Sequence, residues 1–188
     1  MTAWLRRAGR GRMADGSSLL WSVAEGRQGR RWRAAVGRGG ALLLDLLLEV
    51  RPDGTMSRLE VTTAAGFLTL HPEADLRSAH GNVVGADGVR PLAMPWSADH
   101  AFEVVGCPIP TVVALSRLGE VVGAGDRGTL PVLRVGGDLA VEPAVLVVRH
   151  VSRERWAIGD PARSIIAEID DAGLPTGLTD DAGWPLEE

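Results

Sequence analysis

Short turn sequences containing glycine and aspartate recur along the whole chain and separate brief apolar segments. Glycine adopts positive φ without steric penalty, and Asp-Gly and Gly-Gly pairs suit tight hairpin turns. Many short apolar segments separated by such turns predict a mainly β fold built around an antiparallel sheet. The turn sequences are PDG (52–54), GADG (85–88), GAGDRG (123–128), VGGD (135–138) and DDAG (170–173).

Alternation of apolar and polar residues supports strands between these turns. In RLEVTT (58–63) Leu59 and Val61 share one face, while Arg58 and Glu60 share the other. The same period of two appears in AVLVVRHV (144–151) and SIIAEID (164–170). A period of two places successive side chains on opposite faces of a strand. These three segments are therefore predicted to be strands with one buried face.

The leucine-rich segment ALLLDLLLEV (41–50) fits two structures. Leucine favours helix, and Asp45 and Glu49 are spaced to share one helical face. In an extended chain the same two acids fall opposite a continuous apolar side. Because the segment runs directly into a Pro-Asp-Gly turn, we predict a strand. Its apolar side would consist of Leu42, Leu44, Leu46, Leu48 and Val50.

Composition excludes several classes of protein. The single cysteine cannot form an internal disulfide. The longest apolar run is interrupted by Asp45 and is too short to cross a bilayer, and no signal-peptide pattern follows the N-terminal arginines. A net charge of −4 argues against a nucleic-acid-binding protein, because phosphate contacts supply most of that affinity. We therefore expect a cytoplasmic protein with no transmembrane segment and no nucleic-acid partner.

The chain is divided unevenly by charge and contains one internal echo. Arginines dominate the N-terminal end, so residues 1–16 are predicted to be a disordered basic tail, and Met13 is an alternative start to Met1. The segments 49–59 and 168–178 both have the pattern strand, turn, strand. Either any two hairpins look alike at this length, or the fold contains two similar halves, about 17–100 and 101–188.

Three parts of the sequence together resemble a known family. They are a tryptophan on an early strand, Trp21, a central motif that ends in Arg117-Leu118, and a C-terminal Asp-x-x-Gly-Leu hairpin followed by Trp184. On these residues the chain resembles a bacterial glycolipid-binding family, as a distant member matched over about residues 19–187. The resemblance implies a spiral β-roll made of two repeats, with residues 17–188 as a single domain.

The central motif shows where the chain differs from this family. Glu103, Pro108, Ile109, Arg117 and Leu118 match the family pattern. The polar cluster of the pattern is altered, since Cys107 and Pro110 stand in place of two threonines and Thr111 in place of an asparagine. The segment PIPTVVAL (108–115), with two prolines and a β-branched run, is predicted to bend into a strand.

The resemblance implies non-enzymatic binding of an amphipathic ligand, a lipid or glycolipid, in the concave face of the sheet. Six tryptophans with two phenylalanines and no tyrosine are an unusual aromatic set, and indole suits either a β core or a ligand cavity. An inward Arg117 would contact an anionic head group. The predicted ligand-binding residues are Glu103, Thr111, Arg117, Trp32, Trp96 and Trp184.

Other functions remain open at this stage. The main alternative is a structural or protein-interaction domain whose sheet is filled by its own side chains, and a homodimer is compatible with both. A cysteine hydrolase would need Cys107 beside a base such as His100, but Pro108 removes the next backbone N–H and no cysteine-enzyme signature surrounds it. HPEADLRSAH (71–80) matches no metal-ligand spacing and is predicted to be a polar loop. We predict no catalytic residue, metal or cofactor.

Overall fold

The computed structural model describes residues 5–13, 15–119, 122–159 and 165–179. These residues form fourteen strands and one helix, so the predicted mainly β fold is confirmed. In chain order the elements are β1 (Arg6–Arg12), β2 (Ser18–Gly26), β3 (Gly29–Arg38), β4 (Ala41–Val50), β5 (Met56–Thr63), β6 (Gly66–Pro72), β7 (Ser78–Gly85), β8 (Gly88–Pro95), β9 (Ala101–Val104), α1 (Ile109–Leu118), β10 (Arg127–Val135), β11 (Val141–Ser152), β12 (Arg155–Ile158), β13 (Ile165–Ile169) and β14 (Pro175–Thr179).

Two sheets contain all the strands of the described residues. Sheet A is an eight-stranded antiparallel meander in which β1 to β8 lie in chain order. Sheet B has six strands in the order β14-β13-β12-β11-β10-β9 and is curled into a half-barrel. Its strands are antiparallel except for β9 and β10, which pair in parallel and are connected through α1. A parallel pair requires such a crossover, because a hairpin can join only antiparallel strands.

One apolar core is shared by the inner faces of both sheets and by α1. Leu46 and Leu48 of β4 and Leu59 and Val61 of β5 are fully buried, as the alternation predicted. The choice of strand for residues 41–50 is therefore confirmed. The prediction fails only at Leu42, which is 65% exposed because a bulge opposite Val36–Gly37 shifts the register at this end.

The N-terminal arginines form a strand where a disordered tail was predicted for residues 1–16. β1 pairs with β2 from Arg6↔Ala24 to Arg12↔Ser18. Residues 6–12 show little sign of a strand in sequence, since they lack an apolar face of their own. Gly9 lies opposite Trp21, and a Cβ at Gly9 would come within 2.7 Å of the indole ring, so the glycine makes room for a core side chain.

The segment PIPTVVAL belongs to a helix, so the predicted bend into a strand is wrong. Pro108 is the N-cap of α1 and Pro110 lies in its first turn, where a missing backbone N–H breaks no helical hydrogen bond. The β-branched residues that follow have low helix propensity, but Thr111, Val112 and Val113 are buried. Burial of this face against the sheets outweighs the local preference.

Along the chain, the boundary between the two sheets lies close to the predicted division into two halves. The two sheets nevertheless differ in topology. Sheet A ends at Pro95 and sheet B begins at Ala101. Sheet A is entirely antiparallel, whereas sheet B contains the β9-α1-β10 crossover.

The histidines of residues 71–80, predicted to lie in a polar loop, are on strands, with His71 of β6 directly opposite His80 of β7. The loop itself is confined to the residues between them.

Candidate functional site

A cleft of about 360 Å³ lies where the β4–β5 turn, the start of β3 and the end of α1 meet. Trp32 of β3 and Val113 of α1 contribute apolar surface to it. Arg30, Arg51 and Arg117 reach it from three different elements. The cleft therefore combines an aromatic side chain with three guanidinium groups, although these residues are far apart in sequence.

Trp32 is the most buried residue of the cleft lining that carries a polar atom. It is 1% exposed, and its ring centroid lies 5.6 Å from that of Trp21 in a tilted arrangement typical of aromatic pairs. Neither indole Nε1 has a hydrogen-bond partner among the described residues. An unpaired buried donor is unfavourable, so both indoles retain a hydrogen-bonding capacity that the described residues leave unused.

The three arginines differ in how firmly they are held. Arg30 donates from Nη1 to the carbonyl oxygen of Ala172 at 2.7 Å, and its Nε lies 3.6 Å from Glu25 Oε2. Arg117 donates from Nη2 to the carbonyl oxygen of Ala98 at 2.9 Å. Arg51 makes no side-chain hydrogen bond or ion pair within the described residues. Its guanidinium is therefore available for an external anion.

The cleft also contains two carboxylates. Asp53 accepts hydrogen bonds from the hydroxyl and the backbone N–H of Thr55 at 2.6 and 2.9 Å. These bonds, with a smaller contribution from the charge of Arg51, lower the pKa of Asp53. Glu25 faces Arg30. With Arg30, Arg51 and Arg117 set against these two acids, the lining carries a net charge of +1.

Two similar hairpin turns bring glycines against the end of α1. Gly54, with φ of +81°, follows β4, and a Cβ there would lie 3.1 Å from Arg117 Cδ. Gly173, with φ of +76°, follows β13, and a Cβ there would lie 3.1 Å from Ser116 Cβ. Each glycine supplies a left-handed conformation and also permits close approach. The internal echo noted in the sequence thus corresponds to two hairpins that contact neighbouring residues of one helix.

The five predicted ligand-binding residues that the structure describes do not form one cluster. Trp32 and Arg117 both line the cleft. Trp96 is buried against Phe102 at 4.7 Å between ring centroids, and Thr111 is buried on α1. Glu103 of β9 accepts a 2.8 Å hydrogen bond from Arg134 Nε on β10. Trp184 lies outside the described residues. The structure therefore brings together two of the six predicted residues.

The thiol of Cys107 is placed unfavourably for catalysis. It is 2% exposed, and burial raises its pKa to about 12, so the thiol stays protonated at neutral pH. His100 accepts a 3.1 Å hydrogen bond at Nδ1 from the backbone N–H of Ser97. Burial lowers the pKa of His100. No group of three or more His, Cys, Asp or Glu in the described ranges is arranged to hold a metal ion.

The inner face of sheet A is occupied by the protein's own side chains. Leu19, Leu46, Leu59, Leu68 and Leu70 are completely buried in the shared core. An acyl chain could enter this face only by displacing them. α1 is the one helix in the part of the chain that the structure describes, and with ten residues it is too short to cross a membrane.

Sequence reasoning missed Arg30 and Arg51, which complete the cleft. Both looked like ordinary surface arginines in a chain whose twenty basic residues are all arginine. The signal that could have found Arg51 is the echo between 49–59 and 168–178, since Arg51 belongs to the first of these turns. Comparison of the chain with protein-family models, curated proteins and solved structures gives no match. The resemblance to the glycolipid-binding family accordingly stays a prediction.

Proposed function

We propose that the protein binds the anionic head group of an amphipathic molecule, a lipid or glycolipid, in the cleft between α1 and the β4–β5 turn. The observation that carries this proposal is the convergence of Arg30, Arg51 and Arg117 around the buried Trp32. Guanidinium groups bind phosphate and carboxylate with two parallel hydrogen bonds. No reaction is proposed, and the protein acts by binding alone.

The volume of the cleft limits which part of the ligand it holds. Ligand pockets commonly measure about 300–1,000 Å³, so a cleft of about 360 Å³ accommodates a head group with a short apolar portion. That portion would contact Trp32, Val50 and Val113. Because the inner face of sheet A is filled, the remainder of an acyl chain would extend outside the cleft. This differs from the sequence-based expectation of a ligand inside the concave face.

Titration with a monomeric lipid tests the proposal. Dihexanoyl phosphatidylglycerol should change the tryptophan fluorescence of the protein saturably, whereas dihexanoyl phosphatidylcholine should have a much smaller effect. Arg51→Glu should weaken binding about tenfold or more, since it replaces an attractive charge with a repulsive one. Arg149→Glu is the matched control, because Arg149 is exposed on β11 and outside the cleft. Equal weakening in both variants, or no saturable response, would contradict the proposal.

A second candidate is an interaction domain with a self-filled core. It is favoured by the complete burial of the leucines on the inner face of sheet A. Native mass spectrometry separates the two candidates. A lipid adduct retained after incubation with lipid extract, and lost in Arg51→Glu, supports head-group binding. Unmodified protein mass under the same conditions supports the interaction domain.

A further inference from the structure

Arg6, Arg10 and Arg12 of β1 and Arg31 and Arg33 of β3 lie on the same, outward face of sheet A. Directly opposite residues of antiparallel strands point to one side of a sheet. Arg6 pairs with Ala24, which pairs with Arg31. Likewise, Ala8 pairs with Ser22, which pairs with Arg33, and these three residues form the neighbouring row across the strands. This side is opposite the one that buries Trp21 and Val23, so its arginines face solvent.

Exposed leucines accompany these arginines. Leu20 is 58% exposed and lies directly opposite Arg10. Leu42 is 65% exposed and belongs to the row Arg12, Ser18, Gly37, Leu42. We use the name basic face for the surface formed by Arg6, Arg10, Arg12, Leu20, Arg31, Arg33 and Leu42.

Between the arginines the basic face has a shallow hollow. Small side chains form its floor, namely Ala8, Ser22 and Ala24. Arg6, Arg31 and Arg33 line its sides. The hollow measures about 490 Å³ and is open to solvent. Several guanidinium groups are therefore arranged around a space that a phosphate group can enter.

Part of the positive charge on this face is not neutralised within the described residues. Arg31 is paired with Glu49 at 2.6 Å. The side chains of Arg6 and Arg33 make no hydrogen bond or ion pair within the described residues, and both are exposed. Asp45 of β4 lies in the same row as Arg10 and Leu20, opposite Ala35. The surface is thus electropositive, although the whole chain has a net charge of −4.

We propose that the basic face docks on an anionic membrane surface. Arginines near such a surface each contribute about 1 kcal/mol of attraction. Exposed Leu20 and Leu42 beside them would insert into the interface between head groups and acyl chains. A nucleic acid would satisfy the arginines equally well but would leave these leucines in water. The combination of charge and exposed leucine therefore favours a membrane.

Vesicle co-sedimentation tests this docking. The protein should bind phosphatidylcholine vesicles that contain phosphatidylglycerol, should not bind pure phosphatidylcholine vesicles, and should dissociate at high salt. Arg6→Glu with Arg33→Glu should lower binding about tenfold or more. The charge-matched control is Arg90→Glu with Arg149→Glu, two exposed arginines outside the basic face. Circular dichroism verifies that each variant is folded.

Two further measurements separate the parts of the proposal. Leu20→Ser with Leu42→Ser should weaken vesicle binding several-fold, because the apolar contribution is lost. The same double variant should keep the wild-type fluorescence response to dihexanoyl phosphatidylglycerol, since neither leucine lines the cleft. Equal loss in the basic-face and control variants would overturn the proposal. So would binding to a short DNA duplex that is insensitive to the leucine substitutions and exceeds binding to anionic vesicles.

Discussion

Arg30 donates a 2.7 Å hydrogen bond to the carbonyl oxygen of Ala172, a residue 142 positions later in the chain. The bond joins the start of β3 in sheet A to the β13–β14 turn of sheet B. Arg30→Met should lower the free energy of unfolding by about 1–2 kcal/mol, because a charge-assisted hydrogen bond is lost and the apolar stem is kept. Urea denaturation measures this change. Arg33→Met on the same strand is the control, and an equal loss there would contradict the assignment.

Alanine substitutions at Gly54 and Gly106 distinguish the cost of backbone strain from the loss of a contact in the cleft. Their φ angles are +81° and +82°, but only Gly54 lies against Arg117. Alanine at either position should lower stability by about 1–2 kcal/mol, the usual penalty of a left-handed conformation with a side chain. Only Gly54→Ala should also weaken lipid binding, since it displaces Arg117. Titration with dihexanoyl phosphatidylglycerol would show the difference, and equal affinities would argue against a role for Arg117.

Cys107 should make the protein less stable at alkaline pH. Its pKa is raised from 9.0 to about 12 by burial, so the unfolded chain releases the thiol proton at a lower pH than the folded protein does. The stabilising contribution is complete below pH 9.0 and is lost as the pH rises towards about 12. Within this window the free energy of unfolding falls by about 1.4 kcal/mol for each pH unit.

Cys107→Ala should remove that part of the pH dependence. Urea denaturation of both proteins between neutral pH and pH 11 gives the comparison, and parallel curves would contradict the buried thiol. Iodoacetamide provides an independent check. It should modify Cys107 only after unfolding, because the side chain is 2% exposed.

Pro91 and Pro95 should protect the open edge of β8. Among the described strands it pairs only with β7, and proline lacks the N–H that an added strand would need. Pro91→Thr with Pro95→Thr should increase self-association, measured by light scattering. Ala93→Thr is the control, since it adds a similar side chain to the same exposed strand without adding an N–H. Unchanged light scattering in the double variant would mean that the prolines do not restrict pairing.

The strands of the core were predictable because burial imposes a period of two on the sequence. Leu59 and Val61 on β5 and Leu146 and Val148 on β11 follow that rule. α1 was missed because its Thr-Val-Val run favours a strand locally, while burial against two sheets is a tertiary effect. β1 was missed because it is held by hydrogen bonds to β2, and its residues have no apolar alternation that would indicate a strand.

The candidate site was only partly predictable for a different reason. Trp32 and Arg117 stood out by residue type, whereas Arg30 and Arg51 acquire significance only from their shared cleft. That cleft is assembled from two turns, a strand and a helix. Spacing along the chain carries no information about such an arrangement.

Chain order and strand order coincide throughout both sheets, and this sets the course of folding. Each pair within sheet A closes a loop of only a few residues, so its hairpins can form independently and early. Among the described strands, the β9-α1-β10 crossover closes the longest loop before its strands can pair. We therefore expect the rate-limiting barrier to lie at the docking of β9 beside β10, with the meander already formed.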